Sequence, residues 1–321
     1  MSALDFIGIT GPDYEMDIER GKVREFAKAM LAPLPDFVTG RTPVIPATFL
    51  VTAAYTWGYS LERPRGTVFE TIDHDFSVPL HAEEAFIFFG SPPRAGDRFT
   101  CRASLENVWT KTGSKGGTLT FLTMLTEFRD QTSGQLVAEQ RSTTVTTEQA
   151  PDEGAWNVQI PPYVPRYTSL EPDDPFAHIT RVSWEDLVEG EGPGAVEAGP
   201  LTLRDMVRFQ GVVGEDNPLH YDVPWAASLG YPAVFGLGMH QASTLAGYAA
   251  HWLDPIAVRT FRARFRNVYW PGEVMIYDLK VARKYKDSQT GHRMANLELV
   301  CTRPPGDALV HVWMTFDFGI G

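Results

Sequence analysis

Only two of the 321 residues are cysteine, Cys101 and Cys301, and no Cys-x-x-Cys pair occurs. That excludes a disulfide framework and the familiar zinc and dithiol motifs. Each thiol stands in an apolar, strand-like run, where a reduced, partly buried side chain is expected. Basic charge is also scarce: 28 Lys and Arg stand against 40 Asp and Glu, a formal net charge of -12. Sequence-independent nucleic-acid binding depends on clustered cations against phosphate, and an anionic membrane surface repels such a chain overall. Neither nucleic acid nor membrane is therefore an expected partner, although a local basic cluster could hold a small anion. No stretch approaches 18 uncharged apolar residues, so no membrane span is expected. The opening MSALDFIGITGPDYEMD has no basic segment followed by an apolar one, so no signal peptide is read there. The expectation is a soluble, cytoplasmic protein.

What the chain does have is apolar material for two cores, with 43% hydrophobic and 12% aromatic residues. Its length suits two domains of ordinary size. Between Ala150 and Pro200 the stretches APDEG, IPPYVPRY, EPDDP and VEGEGPG form a Pro/Gly/Glu-rich seam with little apolar periodicity. The expected division is a domain over 1–150, a linker over 151–175 and a second domain over 176–321. ITRVSW (179–184) alternates enough to be a strand opening the second domain.

The two parts carry one pattern twice. RAGDRFTCRASLENVW, a KTGSKGG turn, TLTFLTMLTEF, a DQTSG turn and QLVAEQRSTTV in the first are answered by WPGEVMIYDLKVARKY, KDSQTG, HRMANLELVCT, a PPGD turn and ALVHVWMTFDF in the second. Gly96-Asp97 answers Gly272-Glu273. Long strands joined by short glycine-bearing turns are antiparallel meanders rather than βαβ units. Two copies argue for a duplicated fold packing against itself as a dimer would. Ahead of the second meander, GMHQASTLAGYAAHWL (238–253) is apolar or small on nearly every face, the mark of a buried helix. PATFLVTAAYTWGYS (46–60) stands in the equivalent place of the first half. A buried helix wrapped by a long antiparallel sheet is the hotdog arrangement, so the fold class expected is α+β, a tandem (double) hotdog.

The densest polar signal is GEDNPLHYD (214–222). LTLRDMVRFQG before it reads as a short helix with Thr202 as N-cap and Asp205 three residues on. Asp222 after it caps a further helix with Pro224 in the first turn, and is a cap before it is a catalyst. Pro218 stiffens the bend, so carboxylate and imidazole are held rather than flexible.

Asn217-Pro218-Leu219-His220 and the later Gly238-Met239 resemble the MaoC-like dehydratases, the (R)-specific enoyl-CoA hydratases of hotdog fold, in their two-domain form. FRARFRNVYWPGEV (261–274) continues the likeness, and KTGSKGGTLTF and SGQLVAEQRSTT look like the companion N-terminal domain. The resemblance covers nearly the whole chain apart from the linker, and its NPLH segment is the most specific part. It implies reversible hydration of trans-2-enoyl thioesters to (R)-3-hydroxyacyl thioesters, with His220 as one catalytic partner, Asn217 as a positioning residue, and Gly238 and Met239 at the substrate. The substrate is a thioester of coenzyme A or of acyl carrier protein, and coenzyme A enters as part of it; no metal or redox cofactor is implied, and a homodimer stays open. The family motif runs Asp-x-Asn-Pro-x-His, whereas here Glu215 occupies the Asp position and Asp216 stands next door. Spacing from Asn217 favours Glu215; chemical identity favours Asp216; an impaired site is the third reading.

The chemistry asks for a water attacking C3, a proton for C2 and N–H donors for charge on the thioester oxygen. A carboxylate and a neutral imidazole gripping one water can supply both proton movements, and a helix N-terminus can supply the donors. Gly236 and Gly238 open the buried helix. Gly236-x-Gly238 as a dinucleotide loop is rejected, because antiparallel strands follow it where a βαβ unit is required. Arg262, Arg264 and Arg266 alternate with Phe261, Ala263 and Phe265 on one strand face; a solvated or intersubunit face is favoured slightly over a clamp for coenzyme A phosphates. His240 reads as a core or lining residue, and His74, His81, His178, His251, His292 and His311 show no partner pattern. The first half has no Asn-Pro-x-His, and its PDFVTGRTP (35–43) holds no histidine, so one site per chain is expected. Hotdog folds also host thioesterases, and the Glu at the Asp position leaves a degenerate acyl-binding or partner subunit as a further alternative. Acyl length and pathway are not legible.

Overall fold

A computed structural model describes residues 3–60, 64–72, 80–113, 117–147 and 174–319. The expected linker, all but its last two residues, lies outside these, as do His74 and the centre of the KTGSKGG turn. In chain order the regular elements of the first half are β1 (Tyr14–Asp17), α1 (Arg20–Ala29), α2 (Pro35–Val38), β2 (Leu80–Phe88), β3 (Arg98–Thr112), β4 (Thr118–Asp130) and β5 (Leu136–Thr147). The second half adds β6 (Val196–Ala198), α3 (Leu203–Val213), α4 (Val223–Ser228), α5 (Gly238–Trp252), β7 (Val258–Phe265), β8 (Met275–Lys286), β9 (Arg293–Arg303) and β10 (Asp307–Asp317).

All ten strands join one antiparallel sheet in the order β1-β3-β4-β5-β2-β7-β10-β9-β8-β6. Read from each outer edge inward, the halves run 1-3-4-5-2 and 6-8-9-10-7, so the same topology is laid down twice. The joint is the β2–β7 pair, in register from Glu83 opposite Arg264 to Ile87 opposite Thr260. On its buried side Phe86 meets Phe261 with ring centroids 6.0 Å apart. On its outer side Glu83 takes hydrogen bonds from both Arg262 (2.8 Å) and Arg264 (2.8 Å).

Strand periodicity explains the core. In β8, Met275, Tyr277, Leu279 and Val281 are buried, and the residues between them are not. Alternate residues of a strand face opposite ways, so one face turns to α5 and the other to solvent. Every side chain of α5 from Met239 to Trp252 is buried. The small residues permit close approach: a Cβ on Gly247 would come within 2.4 Å of the Ala32 Cβ. The polar residues of α5 find partners inside, Ser243 accepting from Thr48 (2.8 Å) and Gln241 from the Tyr277 hydroxyl (2.5 Å).

Two expected elements differ. Among its described residues the first half has no counterpart of α5: residues 46–60 form a 3-10 turn over Phe49–Val51 and one wide π turn over Ala53–Trp57. The β-branched Val51, Thr52 and Thr56 and the aromatic Tyr55 and Trp57 are poor helix formers. Gly58 then closes the turn on the Ala53 carbonyl (2.8 Å) against the Tyr14 ring, 2.4 Å from where a Cβ would stand. ITRVSW is not a strand either. Val182 donates to the Trp252 carbonyl (2.9 Å) at the end of α5, and Ser183 with Asp186 forms a capping box on a short 3-10 turn. The opening strand of that half is β6. Cys101 and Cys301 are both free and fully buried, and burial pushes the Cys101 thiol up to about 12 and that of Cys301 higher still.

Candidate active site

The site begins with the end of α3. Thr202 and Asp205 cap its start reciprocally, as the sequence indicates, and Gly214 ends it in the left-handed conformation at φ 84°. That reversal delivers Glu215 inward and leaves Asp216 exposed. Glu215 is 7% exposed, and its Oε1 accepts the Asn217 backbone N–H at 2.8 Å. Asn217 Oδ1 accepts from Leu219 N (3.1 Å), starting a 3-10 turn over Pro218–His220 in which Pro218 fixes the first residue. Asp222 then caps α4 through Trp225 N (2.9 Å), the role read for it in the sequence.

His220, 9% exposed, is oriented by a 2.7 Å hydrogen bond between its Nδ1 and the Phe235 carbonyl. A carbonyl only accepts, so Nδ1 carries the proton and Nε2 is left basic. Burial depresses the imidazole's pKa below its ordinary value, partly offset by the Phe235 hydrogen bond and the charge of Glu215. The ring is therefore neutral at neutral pH.

Glu215, Asn217, His220, Phe235, Gly236 and Gly238 share one wall of a cavity of about 590 Å³. The opposite wall comes from β2, β4 and β5, including His81, Phe121, Ser142 and Thr144. Asp216 is not among the lining residues, and neither is Met239. Met239, 1% exposed, faces instead a recess of about 50 Å³ that shares Tyr55, His81, Ser142, Thr144 and Leu237 with the main cavity. Gly236 and Gly238 are needed for closeness: a Cβ would fall 1.9 Å from the Tyr269 ring at the first and 2.6 Å from the Phe265 ring at the second. Gly238 heads α5, where the first backbone N–H groups have no partner within the helix and the dipole favours negative charge.

Arg264 and Arg266 reach the cavity rim with Lys111 and Trp109, but Arg262 does not. Both Arg262 and Arg264 are held by Glu83 across the β2–β7 joint, as befits a face between halves. His240 is fully buried and bonded to the Tyr269 hydroxyl at 2.7 Å, a core residue as read. His251 and His292 pair with Asp174 and Asp317, each at 3.0 Å. No cluster among the described residues has the make-up of a metal site.

Sequence reasoning missed the polar group on the first-half wall. His81 Nε2 lies 2.9 Å from Glu84, whose other oxygen accepts from Gln140 Nε2 at 2.7 Å. A signal was present: Glu84 falls in phase with buried Phe86 and Phe88, a carboxylate on the apolar side of a strand. A bulge between His81 and Glu83 then turns His81 to the same side, which pattern alone does not show.

The sequence profile of the FAS1-like dehydratase domain region matches residues 5–140. No curated protein matches the chain. Among solved structures, a MaoC-like dehydratase aligns at 23% identity over 98% of this chain and 100% of its own, with a TM-score of 0.75. A Mycobacterium tuberculosis protein described as having a double hotdog fold aligns at 10% identity over 96% of each chain, TM-score 0.59. The peroxisomal multifunctional enzyme type 2 of Drosophila melanogaster aligns at 14% identity over 95% of this chain, TM-score 0.59, with 48% of its own length covered. The fold is the double hotdog, the arrangement that the sequence resemblance to two-domain MaoC-like dehydratases implies.

Proposed function

We propose that the chain is a hydro-lyase of MaoC-like type, adding water reversibly to a trans-2-enoyl thioester to give an (R)-3-hydroxyacyl thioester. The observation that carries this reading is the pairing of a buried carboxylate, Glu215, with a neutral, tautomer-fixed imidazole, His220, on the wall that also holds the head of α5. Water held between the two bonds through its oxygen to C3 as it gives up a proton, and C2 receives a proton, so that H and OH are added across one double bond. Negative charge gathers meanwhile on the thioester oxygen, where the Gly238 N–H and the α5 dipole stabilise it. Asn217 shapes the turn that points both groups inward. Arg264, Arg266 and Lys111 at the rim suit the phosphates of a coenzyme A or acyl-carrier thioester. The (R) hand comes from the family resemblance.

The test is to incubate the purified chain with trans-2-butenoyl-CoA and follow the enoyl absorbance, free thiol and product chirality. Loss of enoyl absorbance without thiol release, giving the (R) product, supports the reading. Thiol release would make the chain a thioesterase, and inertness would favour a degenerate acyl-binding subunit.

A further inference from the structure

The recess beside the cavity is lined mostly by apolar side chains, Val51, Ala54, Met124, Val213, Leu237 and Met239 among them, but a set of polar groups interrupts that lining. Gln140, Ser142, Thr144 and His81 all line it, and His81, Ser142 and Thr144 line the main cavity as well, so the two spaces are neighbours separated by no more than these shared side chains. These side chains are organised around Glu84, which is 0% exposed and joins His81 (2.9 Å) to Gln140 (2.7 Å). Ser142 Oγ approaches His81 at 3.4 Å, and the His81 ring rests on Phe265 with centroids 4.5 Å apart. Phe265 is the side chain against which Gly238 packs, so the network abuts the head of α5.

Two oxygens of this group have no partner among the described residues: Gln140 Oε1, on a residue 5% exposed, and Thr144 Oγ1. Buried polar atoms nearly always find a partner. The Gln140 amide cannot simply turn over, because its nitrogen is committed to Glu84, so what remains is an acceptor needing a donor. Thr144 can give or take a hydrogen bond. A volume of about 50 Å³ admits only a few heavy atoms.

We infer that this recess is a specificity subsite for a hydroxyl group at the end of a short acyl chain, held by Gln140 and Thr144 with Ser142 and His81 beside them. A hydroxyl fits because it donates to Gln140 Oε1 and accepts from Thr144; a carboxylate has no proton to give and would face Glu84. The inference rests on the hydratase reading for the name of the reaction, but the recognition itself is separable from turnover. Sites built to hydrogen-bond a substrate group discriminate strongly against analogues that lack it.

The experiment compares trans-2-butenoyl-, 2-pentenoyl- and 2-hexenoyl-CoA with their terminally hydroxylated counterparts. For at least one pair the hydroxylated substrate is expected to show kcat/KM about tenfold or more above its alkyl partner, and Gln140→Met and Ser142→Ala should each lower that ratio severalfold. Alkyl substrates equal or better at every length, or a ratio unchanged in both folded variants, would overturn the subsite and leave the hydratase reading standing. Should no pair be hydrated, that reading fails instead. Calorimetric binding of butanoyl-CoA against 4-hydroxybutanoyl-CoA and of the longer saturated pairs then decides the subsite: tighter binding of a hydroxylated member upholds it, and equal binding at every length overturns it.

Discussion

The Nδ1 of His220 lies 2.7 Å from the carbonyl oxygen of Phe235, and this one bond sets the tautomer and aim of the ring. Removing the ring should therefore remove the chemistry and little else. His220→Ala is expected to lower kcat for enoyl-CoA hydration by about 10²–10⁴, the usual worth of one positioned acid/base group, with the circular dichroism spectrum unchanged. Normal turnover would make His220 structural.

Burial holds His220 below its ordinary pKa, so kcat/KM should stay level down to about pH 6.5 and fall only as the pH drops through the lower, folded-state value. A profile that declines already above pH 7 would show an imidazole that is not desolvated.

Glu215 and Asp216 separate the two ways of matching the motif. Glu215 is buried in the cavity wall, and Asp216 is exposed outside the lining. Glu215→Gln is expected to lose most activity and Asp216→Asn little. Glu215→Asp should keep activity or raise it, because an Asp can also accept the Asn217 N–H two residues on. Initial rates for the three variants check this, and a dead Asp216→Asn beside a normal Glu215→Gln would reverse the assignment.

His240 predicts acid sensitivity. Burial lowers its pKa to about 4 from 6.5, so the unfolded chain binds that proton more tightly than the folded one. Its contribution to stability is complete above the unfolded value of 6.5 and is lost as pH falls to about 4, amounting to about 3 kcal/mol at 1.36 kcal/mol per pH unit. Urea titrations across this window should show the midpoint falling, and His240→Leu should flatten the fall. An equal slope in the variant would place the proton uptake elsewhere.

The two glycines at the head of α5 should fail differently. Gly236→Ala drives a methyl into the buried Tyr269 ring, and overpacking of this kind costs about 1–3 kcal/mol or more. Gly238→Ala meets the half-buried Phe265, which can swing, at a lower cost in stability. The displaced wall should then cost rate, about 10²-fold for a shift near 1 Å. Melting temperature and kcat measured together distinguish the two, and a fully active Gly238→Ala would exclude close approach of substrate there.

The doubled meander, the buried helix and the caps at Thr202 and Asp222 were legible because each is written locally, in alternation, small residues or a three-residue spacing. The Asn217-Pro218-x-His220 bend was legible for the same reason. The carboxylate was not settled by spacing alone, since which of Glu215 and Asp216 turns inward depends on the φ of Gly214. His81 escaped because a strand bulge moved it across the sheet. The missing first-half helix escaped because residues 46–60 have the apolar composition of one, and only the β-branched and aromatic side chains at 51–57 argue against it.

The β2–β7 joint also bears on how such a molecule changes over generations. In a pair of identical subunits every substitution appears twice, once in the wall where it helps and once at the symmetry-related place, whatever it does there. Here the counterpart of β5, which carries Gln140, is β10, encoded separately on the far side of the joint. A substitution at residue 140 therefore falls once per chain and leaves β10 as it was, so the wall of one half can change while the residues of the other keep their identity.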